Sequence, residues 1–214
     1  YEMPVQYPAG ITAEHRAVRE SCGLFDVSHM GEFMVRGKDA VAFTNYVTSN
    51  DVAALAIGQV QYSTILNEGG TIVDDCLVYR FADRIMIVVN ASNREKDFEH
   101  ISRYTSRFEV TLEDISDDVA LLALQGPKAE QVLSRLTATK LGEIAYYHFD
   151  EGEVALERLE EPLVELDVEQ FSLPIATYTR SYFLTARLAA RRMIARGSGV
   201  IMTVTALHAR TGIP

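Results

Sequence analysis

Val60–Val89 reads VQYSTILNEGGTIVDDCLVYRFADRIMIVV and carries the punctuation of consecutive hairpins. Val60–Leu66 is strand-like, and Glu68-Gly69-Gly70 supplies a tight turn whose glycines accept positive φ. Thr71–Phe81 and Arg84–Val89 then form a second hairpin around Ala82-Asp83. Upstream, Gly31–Gly37 alternates as a strand and Asp39–Val47 has the three/four spacing of a short helix. Ile11–Ser21 has the same helical spacing, with Thr12 as its N-cap and Cys22-Gly23 as its stop. Downstream, Ser92-Asn93-Arg94-Glu95 is a capping-box sequence that predicts a helix to about Ser106. Phe108–Leu112 and Ala120–Leu124 read as strands, and Gly126-Pro127 opens a helix to about Leu136 with the proline in its first position. Strands separated by both hairpins and helices predict an α+β fold with an antiparallel sheet, compact over about residues 31–136.

Composition divides the chain. All four lysines (Lys38, Lys96, Lys128, Lys140) precede residue 141, whereas Phe171–Pro214 holds six arginines, no lysine and no acid. The expected organisation is a first part over 1–154 and a second over 155–214. The second part reads as one helix over 174–196, capped by Ser172 and ended by Gly197, and one apolar strand at Val200–Thr205. The helix gathers Tyr182, Phe183 and Met193 on one face, which predicts packing on the first part or on a second copy in a homo-oligomer. A net charge of −10 excludes general binding to a nucleic-acid backbone. Cys22 and Cys76 cannot build a disulfide framework, so a reducing compartment is expected. No apolar run approaches 18 residues, and Tyr1 opens no signal peptide, so no membrane role is expected. A first residue other than Met and the stop at Pro214 suggest that both ends are cut.

The densest polar constellation is Gly69-Gly70-Thr71-Ile72-Val73-Asp74-Asp75, with Phe25-Asp26-Val27-Ser28-His29-Met30 upstream. Adjacent carboxylates on a strand point to opposite faces, so only one of Asp74 and Asp75 can enter a given pocket. Taken singly, each residue has a plainer reading. The acids would be a solvated pair beside a turn, and His29 a structural or surface histidine. Tyr62 and Tyr79 would be sheet-packing aromatics, and Asn90 a strand-exit residue.

Together the motifs resemble a family. Tyr1–Val5, Gly23–Gly31 (GLFDVSHMG), Asn67–Gly70 through Asp74-Asp75, Val88–Ala91, Arg94–Asp97 and Leu124–Pro127 are similar to the aminomethyltransferase (T-protein) of the glycine cleavage system, over residues 1 to about 154. The resemblance implies a folate-binding central domain and transfer of an aminomethyl carbon from the lipoyl arm of the H-protein to tetrahydrofolate, with release of ammonia. It makes Asp75 the catalytic carboxylate, and places Met30, Tyr62, Leu77, Tyr79 and Asn90 along the folate pocket. His29 lies in the motif and receives no chemistry. A cytoplasmic location, or the mitochondrial matrix in a eukaryote, would follow. The pattern departs at Tyr1, where a tryptophan is usual, and after Val154, where the family continues into an Arg-Thr-Gly-Tyr-Thr-Gly-Glu stretch and a long C-terminal half.

The tail resembles something else. Residues from about 162 to 214 are similar to the interface helix and following strand of a short-chain dehydrogenase/reductase, a Rossmann-type fold. Tyr178 stands at the usual Asn position and Ala206 at the usual Ser, and the Gly-rich nucleotide loop is absent. Three readings therefore stay open: a tetrahydrofolate-dependent aminomethyltransferase, a dinucleotide-binding reductase fragment, and a non-catalytic composite of the two pieces.

Overall fold

A computed structural model describes residues 5–154 and 200–204. Two compact units emerge, one from His29–Asp117 with Ile144–Asp150, the other from the N-terminal segment to Ser28, Asp118–Glu143 and the segment from Glu151 onward. The span expected to be compact, 31–136, therefore divides at Asp117/Asp118. Its last strand and helix belong with the N-terminal segment, a long-range association that local spacing cannot reveal.

The His29–Asp117 unit is built on five antiparallel strands: β2 (Gly31–Arg36), β3 (Val60–Leu66), β4 (Ile72–Arg80), β5 (Arg84–Val89) and β6 (Thr111–Asp114), in the order β3-β4-β5-β2-β6. The hairpins follow the turns legible in the sequence: Gly70 takes φ 76° in the Asn67–Thr71 turn, where an L side chain would be strained. Alternation sorts each strand into two faces. Phe33, Val35, Ile65, Cys76, Val78, Ile85, Ile87 and Val89 share one core with Phe43 and Val47 of helix α2 (Ala40–Val47) and Ile101 of helix α3 (Arg94–Ser102). Phe33 packs edge-on against Phe98 at 5.2 Å between centroids. The opposite face of β4 carries Asp75, Leu77 and Tyr79.

The other unit holds a three-stranded sheet ordered β1-β7-β8, formed by β1 (Gly23–Asp26), β7 (Val119–Gln125) and β8 (Val200–Val204). Strand β1 runs antiparallel to β7, and β8 runs parallel to it. Helix α1 (Ile11–Glu20) precedes β1, and the short helix α4 (Ala129–Leu133) follows β7. Cys22, Leu124, Ala129 and Leu133 form its small core. Both cysteines of the chain are free and buried.

Several local expectations give way. Gly10, not Thr12, occupies the N-cap of α1, and Thr12 lies inside the helix. The Ser92 capping box does not form: Ala91–Asn93 is a 3-10 turn, and Asn93 precedes α3 as its N-cap without a side-chain cap hydrogen bond. Helix α3 stops at Ser102 because a 3-10 turn at Thr105–Arg107 redirects the chain, and strand β6 accordingly begins at Thr111 rather than Phe108. Pro127 lies outside α4, whose N-cap is Lys128 and whose last residue is Leu133. There the Lys128 amide is taken by the Ser21 carbonyl, and Gly126 holds φ 124°. The strand expected at Val200–Thr205 is present as β8, while the helix expected over 174–196 lies outside the described residues.

Candidate functional site

Register assembles the site. Across β3 and β4, Tyr62 pairs with Leu77, Thr64 with Asp75 and Val60 with Tyr79. Leu77 continues to Val88, and Val88 to Glu32, so Tyr62, Leu77, Val88 and Glu32 form one row on a single face. Tyr79, Met86 and Met34 form the next row. Met30 and Asn90 stand one residue outside β2 and β5 with the same parity. Of the six residues singled out by the resemblance, Asp75, Tyr62, Leu77 and Tyr79 thus share the face opposite the α2 and α3 core, while Met30 and Asn90 flank the ends of β2 and β5.

Asp75 is the polar focus of that face. Tyr62 donates its hydroxyl to Asp75 Oδ2 at 2.9 Å, and Asn90 donates Nδ2 to Oδ1 at 2.7 Å. Each carboxylate oxygen keeps a free lone pair, because a carboxylate has roughly four acceptor sites and only two are used here. The hydrogen bond to Asp75 is also the first reason why the Tyr62 phenol is pushed above its ordinary range. A carboxylate held from both sides, beside a half-exposed tyrosine ring, can stabilise a cation placed over it without reorganising.

Asp74 takes the other direction and is buried. Burial works to raise its pKa, but hydrogen bonds from Asp97, Asn90 and Asn93 outweigh this and hold it below the usual carboxylate range. Asn90 serves both acids, since its Nδ2 also lies 3.1 Å from Asp74 Oδ1.

The remaining residues behave differently from one another. Tyr79 is buried against Phe149, with ring centroids 5.5 Å apart, and is a packing aromatic as well as a wall of this face. Its phenol is pushed up to about 12, first by burial and then by Glu32. Met30 and Leu77 are half-buried.

Sequence reasoning missed two residues. Tyr147 is 41% exposed, adopts φ 54° and bears electrostatically on both Tyr62 and Tyr79. A non-glycine residue in that conformation is uncommon and tends to mark a functional position. Nothing in the local sequence announces it. Glu32 is 1% exposed, and neither carboxyl oxygen has a hydrogen-bond partner. Burial pushes it up to about 8, with Arg94 opposing and Asp114 adding. Its signal was present, because Glu32 interrupts the apolar run Gly31–Val35 of GEFMVR, with the same parity as Met34.

The fold and this face define an α+β domain whose antiparallel sheet presents one positioned carboxylate between aromatic and amide groups. The chain belongs to the GCVT N-terminal domain family, whose profile matches residues 1–159. It is 55% identical over 159 residues to an aminomethyltransferase of Chloroherpeton thalassium, covering 74% of this chain and 44% of that protein. It is 51% identical over 155 residues to an aminomethyltransferase of Desulfitobacterium hafniense, covering 72% and 42%. Among solved structures, the glycine cleavage system aminomethyltransferase T of Bartonella henselae superposes with a TM-score of 0.62 at 38% identity, over 69% of this chain and 40% of that one. The chain thus spans less than half the length of these relatives. The family match ends at residue 159, so the reductase-like reading of about 162–214 rests on sequence pattern alone. Among the described residues no helix is long and apolar enough to cross a membrane.

Proposed function

We propose that this chain carries the folate-binding part of a glycine-cleavage aminomethyltransferase, with Asp75 as its catalytic carboxylate. The observation that supports this most is the two-sided hold on Asp75 by Tyr62 and Asn90, on the face that also presents Leu77 and Tyr79. The names of the aligned relatives point the same way.

The residues suit a flat heterocycle bearing amines. Tyr62, half exposed, offers a ring face for stacking, while Leu77 and Met30 offer apolar wall. Tetrahydrofolate, as co-substrate, would supply the amines that take the one-carbon unit from the aminomethyl-lipoyl arm of the H-protein, with ammonia and the lipoyl thiol leaving. Asp75 contributes a fixed negative charge beside the cationic carbon and an acceptor for the proton of an attacking amine. Asn90 and Tyr62 keep that charge in place and occupy no more of its lone pairs than they need.

Calorimetric titration with tetrahydrofolate tests binding, and ammonia release from aminomethyl-loaded H-protein tests transfer. Asp75→Asn should leave binding within about tenfold and lower transfer by about a hundredfold or more, because the charge acts on the developing cation rather than on the ground state. Transfer that is unchanged in Asp75→Asn refutes the assignment. Absence of both binding and transfer in the wild type favours the non-catalytic reading.

A further inference from the structure

Beneath Asp75, on the core side of β4, two acids meet without a base between them. Asp97 of α3 is fully buried, and neither of its carboxyl oxygens accepts a hydrogen bond from a conventional donor. Its nearest cation is Lys96, whose Nζ lies 3.8 Å from Asp97 Oδ1, beyond hydrogen-bond reach, and donates instead to the Val73 carbonyl at 2.9 Å. The group that Asp97 does face is the Asp74 carboxyl, whose Oδ2 likewise lacks a donor. Cys76 and Asp75, from the same strand, are the other titratable groups close enough to feel it.

Two carboxylates in contact inside a protein cannot both be charged. The contact is a hydrogen bond only when one of the pair carries a proton. Donors decide which one. Asp74 receives Asn90 Nδ2 at 3.1 Å, and Asn93 adds to the lowering of its pKa, so its anionic form is favoured. Asp97 receives nothing, so it is the acid. Its O–H then satisfies Asp74 Oδ2, the oxygen that no other group reaches.

We propose that Asp97 is a positioning residue for the site: it shares a proton with Asp74 and through that contact fixes Asn90 against Asp75. The consequence for Asp75 rests on the functional reading above. The chain of contacts is continuous: Asp97 to Asp74, Asp74 Oδ1 to Asn90 Nδ2, and Asn90 Nδ2 to Asp75 Oδ1 at 2.7 Å. With the proton in place, the Asp74 charge anchors the Asn90 amide, and the amide presents its hydrogens to both acids. Once the proton leaves, two buried charges repel and the anchor shifts. Burial, reinforced by Asp74, pushes Asp97 up to about 7, while Asp74 is held low. The pair therefore titrates near neutrality as a unit.

The test follows Asn90 directly. In the full chain, the Asn90 side-chain amide resonances are recorded from pH 5 to pH 9 in wild type and in Asp97→Asn, with tetrahydrofolate affinity measured by calorimetry across the same range. In the wild type the Asn90 amide should shift with a midpoint near 7, and affinity should fall by about tenfold across it, the scale of one hydrogen bond to a charged group. Asp97→Asn offers Asp74 an amide donor at every pH, so the Asn90 shift should vanish and affinity should stay level. Asp97→Ala removes the donor and should show the weaker affinity at all pH values. An Asn90 amide that is flat in the wild type, or that titrates identically in Asp97→Asn, overturns the proposal. If tetrahydrofolate does not bind at any pH, the functional reading fails while the Asn90 titration still decides whether Asp97 controls the amide.

Discussion

Replacing Glu32 with glutamine should remove a pH-dependent loss of stability from the sheet. The carboxyl is 1% exposed, both oxygens lack partners, and burial pushes it up to about 8. In the unfolded chain the same group titrates near 4.5. Between these values the native state binds the proton that the unfolded state has released, so unfolding free energy falls as pH rises. The favourable contribution is fully present below the ordinary glutamate value and is lost as pH rises through about 8, with no further change above it. For one group this amounts to about 3 kcal/mol by pH 7 and about 4 kcal/mol between pH 5 and pH 9. Glutamine has no titration, so the wild-type and Glu32→Gln stabilities should diverge by that amount across the range. The amide's own burial adds a constant offset of about 1–3 kcal/mol, which is why the slope and not the absolute value is diagnostic. Urea unfolding followed by circular dichroism at pH 5, 6, 7, 8 and 9 supplies the slope. Parallel curves for the two proteins would refute the reasoning and mean that Glu32 is solvated or paired in solution.

Two further substitutions probe the two units separately. Gly126→Ala would place a Cβ 2.6 Å from the carbonyl oxygens of Val18 and Ser21 at φ 124°, and should cost at least about 1–3 kcal/mol in thermal unfolding; a wild-type melting temperature would show that the Gly126 turn relaxes freely. Phe43→Ala empties a fully buried site in the α2 core and should cost about 3–5 kcal/mol by chemical denaturation, with Phe43→Leu costing less; a loss below about 1 kcal/mol would mean that the core collapses into the space.

The hairpins were legible because three signals agree there: alternation, a Gly-Gly turn and a two-residue connection. Strands β3 and β5 begin and end where the pattern says. Caps were read less well. Ser92 and Thr12 are the right residue types, but one lies in a 3-10 turn and the other inside a helix. Strand β1 was missed because four residues are too few to display alternation, and its pairing with β7 joins Gly23 to Gln125. The same blindness to distant partners hid the division at Asp117/Asp118 and the parallel pairing of β8 with β7. At the site, parity alone indicated that only one of Asp74 and Asp75 can enter a given pocket. The apolar Cys76 and Val78 share Asp74's parity and settle in the core, which leaves Asp75 on the opposite face. Tyr147 reaches that neighbourhood through the Val60 amide, bonded to its carbonyl at 2.8 Å, a contact across 87 positions that no local pattern encodes.

Glu32 and Asp97 both favour mild acid, yet they act through different routes, and that difference can be measured. Glu32 lies on the site face in the row of Leu77 and Val88, whereas Asp97 meets Asp74 on the core side. Each binds a proton in the native state that the unfolded chain has lost, Glu32 up to about 8 and Asp97 up to about 7. Stability of the His29–Asp117 unit should therefore decline from pH 5 to pH 8 through two independent contributions. Neither Glu32 carboxyl oxygen has a hydrogen-bond partner, so Glu32→Gln should flatten part of the stability slope and leave the Asn90 amide titration intact. Asp97→Asn should flatten another part and abolish that titration. The double variant should then show the sum of the two slope changes to within about 0.5 kcal/mol. A double variant whose slope equals that of either single variant would mean that one proton, not two, governs both acids. Asp75 would then sit between two faces of one coupled network, and the separation of site face from core face argued from strand parity would fail.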